Sequence, residues 1–142
     1  MDDHQLFMKL TRASSYALHA VAYMADQDSN DPVASHIIAK ARKIPERFLL
    51  KVLKPLVSAR VLLSVKGPNG GYRLAKSPAD ISLLEVLEAV DGPIRGLAPL
   101  SGEKKNGPLN NKLESICKES ADALRKHLGA VKMSQLVSKK GK

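Results

Sequence analysis

Five stretches of this chain repeat apolar residues at intervals of three and four, and two short ones read as strands, one rich in β-branched and apolar residues and one alternating. Residues 12–26 predict an amphipathic helix with Ala13, Tyr16, Ala17, Ala20, Val21 and Met24 on one face, stopped by a polar turn cluster at 26–32. Residues 35–42 predict a short helix with Ile37, Ile38 and Ala41 apolar, and Lys43-Ile44 a turn. A third helix opens with Pro45 as its first residue, where a missing N–H costs nothing. It places Phe48, Leu49, Val52, Leu53, Leu56 and Val57 on one face, with Arg47, Lys51 and Lys54 on the other side. Pro55 deletes the hydrogen bond to the Lys51 carbonyl, at about 3 kcal/mol in a helix interior; because the apolar face continues beyond it, a bend rather than a break is expected. Residues 61–66 and 72–74 read as strands around the turn Gly67-Pro68-Asn69-Gly70-Gly71.

Downstream, residues 77–80 read as a loop, and Ser82 with Glu85 fits a capping box. Leu83, Leu84, Val86, Leu87 and Val90 then predict a short buried helix ending at Asp91-Gly92-Pro93. Residues 93–108 show no period. A final helix over 110–128 carries Leu113, Ile116, Cys117, Ala121, Leu124 and Leu128, with Gly129 as its stop, followed by a short apolar piece at 133–137. The fold class is therefore mainly α with a small β-hairpin.

A helix with a basic outer face followed by a basic hairpin is the layout of a winged helix-turn-helix, in which the helix enters the major groove and the hairpin, or wing, touches the backbone or minor groove. Charge sharpens this reading. The chain carries a net +9, and ten basic residues between Ala34 and Lys76 face a single acid, Glu46; the remainder balances. A positive charge confined to one module points to a polyanion, because neutralising phosphates releases counterions. The expected DNA contacts are Arg47, Phe48, Lys51 and Lys54 on the helix and Lys66, Asn69, Gly70 and Arg73 on the hairpin. A solvated basic surface is the bland alternative.

Leu10-Thr11, Tyr16-Ala17-Leu18, Ile44-Pro45, Phe48-Leu49, Val52-Leu53, Leu56 and above all the run from Lys66 to Ala75, KGPNGGYRLA, resemble the Rrf-two family of bacterial winged-helix repressors, which includes the IscR, NsrR and CymR regulators. The likeness is good over residues 8–92 and loose beyond. It implies a homodimer that binds a double-stranded operator and represses or activates transcription. Two departures matter. Members of the family usually have Gly where Arg60 stands, at the passage from helix to wing; Arg60 then either takes a left-handed conformation or ends the helix differently, and serves as one more charge near DNA or as a plain helix-end cation. Many members also carry three cysteines after the wing, which bind an iron–sulfur cluster through thiolates. Residues 93–108 contain none, and the chain has one cysteine in all, Cys117. No cofactor is expected. Cys117 reads as a small core residue, with a redox-sensing thiol as the sharper alternative.

Other chemistry finds no support. His4, His19, His36 and His127 lack short ligand spacing, GPNGG lacks the GK[ST] of a phosphate loop, and Glu85 with Glu88 reads as a solvated face. No enzyme is predicted. There is no long apolar run or signal-peptide core, so no membrane contact and a cytoplasmic location are expected.

The organisation expected is an extension without stable order at 1–7, a winged helix-turn-helix at 8–92, a flexible loop at 93–109, a dimerisation helix region at 110–137 and a basic tail at 138–142. Leu113, Ile116, Cys117, Leu124 and Leu128 are the expected dimer interface, with antiparallel final helices each resting on the partner's first helix. The alternatives are a final helix folded back on its own core, and a protein-interaction module of the same fold whose partner is another protein, such as a metabolic enzyme.

Overall fold

A computed structural model describes residues 10–95 and 107–137. The expected extension at 1–7, most of the loop at 93–109 and the tail at 138–142 lie outside the described residues. The elements run α1 (Arg12–Ala25), α2 (Ser35–Arg42), α3 (Glu46–Ser58), β1 (Leu62–Val65), β2 (Gly71–Leu74), α4 (Leu83–Asp91), α5 (Pro108–Ala130) and α6 (Met133–Leu136).

Helix α1 begins where the Thr11 hydroxyl accepts from the Ser14 N–H at 3.0 Å. The same hydroxyl donates to the Asp91 carboxylate, and the buried Ser14 hydroxyl also donates to Asp91. The end of α4 is thereby fastened to the start of α1, where a carboxylate suits the positive end of the helix dipole. Helix α4 itself begins with the reciprocal bonds expected: Ser82 accepts from the Glu85 N–H at 3.0 Å, and Glu85 accepts from the Ser82 N–H at 2.8 Å.

Ala17, Ala20 and Val21 of α1, Ile38 of α2, and Leu49, Leu53 and Leu56 of α3 meet in one core, joined by Val61, Leu62, Ile81, Val86 and Met133. Several expectations shift by one residue or one face. Pro45 is the N-cap of α3 and not its first residue, with ψ 129. In α2 it is Ile38 and Ala39 that are buried, while Ile37 and Ala41 are exposed, because a helix this short turns only about a third of its surface inward. Of the apolar residues of α4 only Val86 and Leu87 are fully buried. Residues 78–80 form a 3-10 turn and not an irregular loop. Helix α3 runs unbroken through Pro55, whose own carbonyl accepts from the Ala59 N–H at 2.9 Å.

The two strands pair antiparallel with Leu62 opposite Leu74 and Leu63 opposite Arg73. Val61 and Lys66 fall outside the strand expected at 61–66, and Gly71 joins the second. The turn closes when the Gly70 N–H donates to the Gly67 carbonyl at 3.0 Å. The free edge of β2 is covered by the α1–α2 loop: Val33 and Tyr72 exchange both backbone bonds at 2.8 Å, and the Asn30 amide bonds both backbone groups of Leu74. Gly71, at φ 147, allows this approach; a Cβ there would lie 2.3 Å from the Val33 carbonyl oxygen.

Helix α5 starts two residues earlier than expected, with Pro108 at its first position, and passes through Gly129 to Ala130. Gly129 is therefore not a stop; it faces Leu84 of α4. The C-terminal part of α5 and the segment after it dock on their own chain: Leu128 and Met133 are buried, the Met133 N–H donates to the Ile81 carbonyl, and the Leu83 N–H donates to the Val131 carbonyl, both at 2.8 Å. Its other half differs. Leu109 and Ile116 are 54% and 56% exposed.

Candidate nucleic-acid interface

The phase of α3 is set by Leu49, Val52, Leu53 and Leu56, all buried. The opposite face is left with Arg47, Lys51 and Lys54, all exposed. Phe48, another of the expected DNA contacts, is half-buried. Its ring lies on the flank of α3, in an apolar groove shared with Ala13 and Tyr16 of α1. There it supports two of the cations: the Arg47 guanidinium carbon sits 4.7 Å and the Lys51 Nζ 5.8 Å from its centroid.

Both helices of the helix-turn-helix end the same way. At the end of α2, Lys43 is left-handed (φ 56, ψ 46), and the Ile44 N–H reaches back to the Ala39 carbonyl at 2.9 Å. At the end of α3, Arg60 has φ 64, its N–H donates to the Val57 carbonyl, and the Val61 N–H donates to the Leu56 carbonyl, both at 3.0 Å. These are Schellman closures, normally completed by glycine. Here each is completed by an exposed basic residue.

On the hairpin, Lys66 and Asn69 are exposed and Gly70 and Arg73 are half-buried. Gly70 has no room for a side chain, since a Cβ would stand 2.1 Å from the Val65 carbonyl oxygen. It shapes the turn, and only its backbone can touch a ligand. Arg73 pairs with the exposed Leu63, on the face away from the buried Leu62–Leu74 pair.

The charges are disposed in a telling way. Lys76 is taken by Glu85 at 3.0 Å. Arg42 lies over the Tyr23 ring at 5.8 Å and meets His19 at 3.2 Å. Glu46, the one acid of the segment, accepts from the Ser35 hydroxyl at 2.8 Å. None of Lys40, Lys43, Arg47, Lys51, Lys54, Arg60, Lys66 and Arg73 has a carboxylate partner among the described residues. Such a set repels itself and is relieved by a polyanion.

Pattern reading of the sequence missed Leu50, 42% exposed between Arg47 and Lys54 on α3. A signal existed: with Leu49, Val52, Leu53 and Leu56 setting the apolar face, Leu50 falls about 100° away from Leu49 on the side of Arg47 and Lys54. Of the residues expected at a dimer interface, Ile116 is exposed, Leu113, Cys117 and Leu124 are half-buried, and Leu128 is buried within its own chain. Leu128 has no surface left to offer a partner. Among the described residues there is no grouping of three or more His, Cys, Asp or Glu side chains that could hold a metal.

The family profile described as "Rrf2: Iron-dependent Transcriptional regulator" matches residues 10–139. The chain is similar to the HTH-type transcriptional regulator NsrR of Bacillus licheniformis, 31% identical over 99 residues that cover 70% of this chain and 69% of that protein. It is also similar to an rrf2-like HTH-type transcriptional regulator of Rhodobacter capsulatus, 39% identical over 95 residues, 65% of this chain and 63% of the relative. With several such relatives the match spans only about half of their length, as for an HTH-type transcriptional regulator of Aquifex aeolicus at 50%. In fold, it resembles CymR of B. subtilis, described as the global cysteine regulator of that organism: TM-score 0.73 at 24% identity, covering 92% of this chain and 96% of CymR. IscR of T. potens superposes with a TM-score of 0.69 at 21% identity, over 91% and 85% of the two chains. The helices and hairpin described above are thus those of a winged helix-turn-helix.

Proposed function

The chain belongs to the Rrf2 family of transcriptional regulators, and from that premise we propose that it is a sequence-specific regulator acting on double-stranded DNA as a homodimer, with no iron–sulfur cluster of its own. The observation that supports DNA as the ligand is the set of eight basic side chains without carboxylate partners among the described residues, gathered on α3, on the two helix ends and on the wing. Helix α3 enters the major groove with Arg47, Lys51 and Lys54 outward, and Lys66 and Arg73 of the wing lie along the adjacent backbone. Lys66 is a point charge without the fork of arginine, so the wing contact is tolerant of sequence. Repression follows where the operator overlaps a promoter. The place of work is the cytoplasm, where the DNA is; no helix among the described residues is long and apolar enough to cross a membrane.

One winged helix covers a single half-site. Two recognition helices about 34–36 Å apart read a palindrome. The half of α5 that leaves Leu109 and Ile116 in water supports a second copy as the partner that covers it.

The family's description names iron, and a cluster needs several thiolates. This chain has Cys117 alone, so its own donor set does not fit one.

The test is selection of bound duplexes from a random pool, followed by binding isotherms at several salt concentrations. Enrichment of a palindromic site, with affinity falling steeply with salt, is expected. Equal affinity for every duplex, or none, would leave the fold as a protein-interaction module.

A further inference from the structure

We propose that Leu50 reads the C5-methyl group of thymine in the major groove; this rests on the DNA-binding reading and adds a residue-level specificity to it. The buried set Leu49, Val52, Leu53 and Leu56 fixes the phase of α3 and leaves Leu50 on its flank, 42% exposed. Arg47, three residues before, and Lys54, four after, share its stripe of α3, and Lys51 adjoins it. Scattered exposed leucines are ordinary on a protein surface. This one differs in its surroundings. It is an apolar side chain set among cations that have no carboxylate partner among the described residues, on the face of a helix shaped to enter a groove. A partner protein that covered Leu50 would also have to neutralise those cations, whereas DNA supplies phosphates at the rim of the groove and an apolar feature at its floor.

The chemistry narrows the reading further. Leucine has no donor or acceptor, so it cannot recognise guanine, adenine or cytosine by hydrogen bonds. In the major groove the one apolar group among the four bases is the thymine methyl. Lys54 holds the helix to the backbone, and Leu50 fills the space against that methyl.

The experiment replaces thymines of the selected duplex by deoxyuridine, one position at a time, which removes the methyl and leaves every base pair intact. Wild type is expected to bind about fourfold more weakly at one position in each half-site, the loss of one buried methyl contact. The Leu50→Ala variant should bind the thymine and uridine duplexes alike at that position. Its thermal unfolding should match wild type, since the side chain lies outside the core. The inference is overturned if no uridine weakens wild type, or if the weakening persists undiminished in Leu50→Ala. Failure to enrich any duplex would instead remove the DNA-binding reading, and this inference with it.

Discussion

The Arg125 guanidinium closes on both oxygens of the Glu88 carboxylate, with Nε donating to Oε2 at 2.9 Å and Nη2 to Oε1 at 3.0 Å. The Ile94 N–H donates to the same Oε2 at 2.8 Å. This fork fastens α5 to α4 and fixes where the exposed half of α5 emerges from the winged helix.

A pH dependence follows. The Arg125 hydrogen bonds hold the Glu88 carboxyl below its ordinary value of 4.5, against burial, which pushes it up; the Ile94 N–H adds to the lowering. A group depressed in the folded state stabilises above the ordinary carboxylate range and loses that contribution as pH falls through its folded value. Glu88→Gln should therefore melt below wild type at pH 6–7, and the gap should shrink as pH drops below 4.5. Thermal melts of both proteins from neutral to acid pH check this; a gap that widened in acid would contradict it.

Arg60 sets stability against binding. Its left-handed backbone costs a residue with a Cβ about 1–2 kcal/mol, part of which glycine gives back as unfolded-state entropy. Arg60→Gly should raise stability by about 0.5–1 kcal/mol while removing one phosphate contact. Urea unfolding and the salt dependence of binding, measured on the same sample, separate the two effects. A more stable variant with an unchanged salt slope would make Arg60 a helix-end cation and nothing more.

On the wing, Lys66→Ala should lower the slope of log affinity against log salt by about one, with sequence preference unchanged. Arg47→Ala is expected to blunt the preference between the selected site and a mutated one. An equal loss on both sites would mean that Arg47 touches phosphate only.

Much of the fold was legible because burial follows period. The bounds of α2 and the capping box of Ser82 and Glu85 emerge as read. Pattern alone could not say which neighbour covers the flank of a helix. Phe48 and Leu50 flank the same buried Leu49, but α1 stands on the Phe48 side and nothing among the described residues covers Leu50 to the same extent. Gly129 looked like a stop because a glycine's role depends on what approaches it. Here Leu84 packs against it, and the helix continues. Leu128 and Ile116 occupy the same apolar stripe, and only the docking of Val131 and Met133 beside α4 separates an inward residue from an outward one.

That separation gives a test of assembly that a single substitution could not. If a second copy covers the exposed half of α5, Ile116→Glu places a carboxylate in the interface without touching the core of its own chain. Ionised, it costs several kcal/mol there unless it escapes to water. The variant should remain folded, with a melting curve of a concentration-independent monomer, and light scattering should show half the mass of wild type. Binding to the palindrome should fall to that of one half-site. Leu128→Glu serves as the contrast. Leu128 is 5% exposed and packed within its own chain, so the charge there should unfasten the end of α5 and destabilise the fold itself. A wild type that scatters as a monomer at micromolar concentration, or an Ile116→Glu variant that stays dimeric, would rule out this half of α5 as the dimer contact.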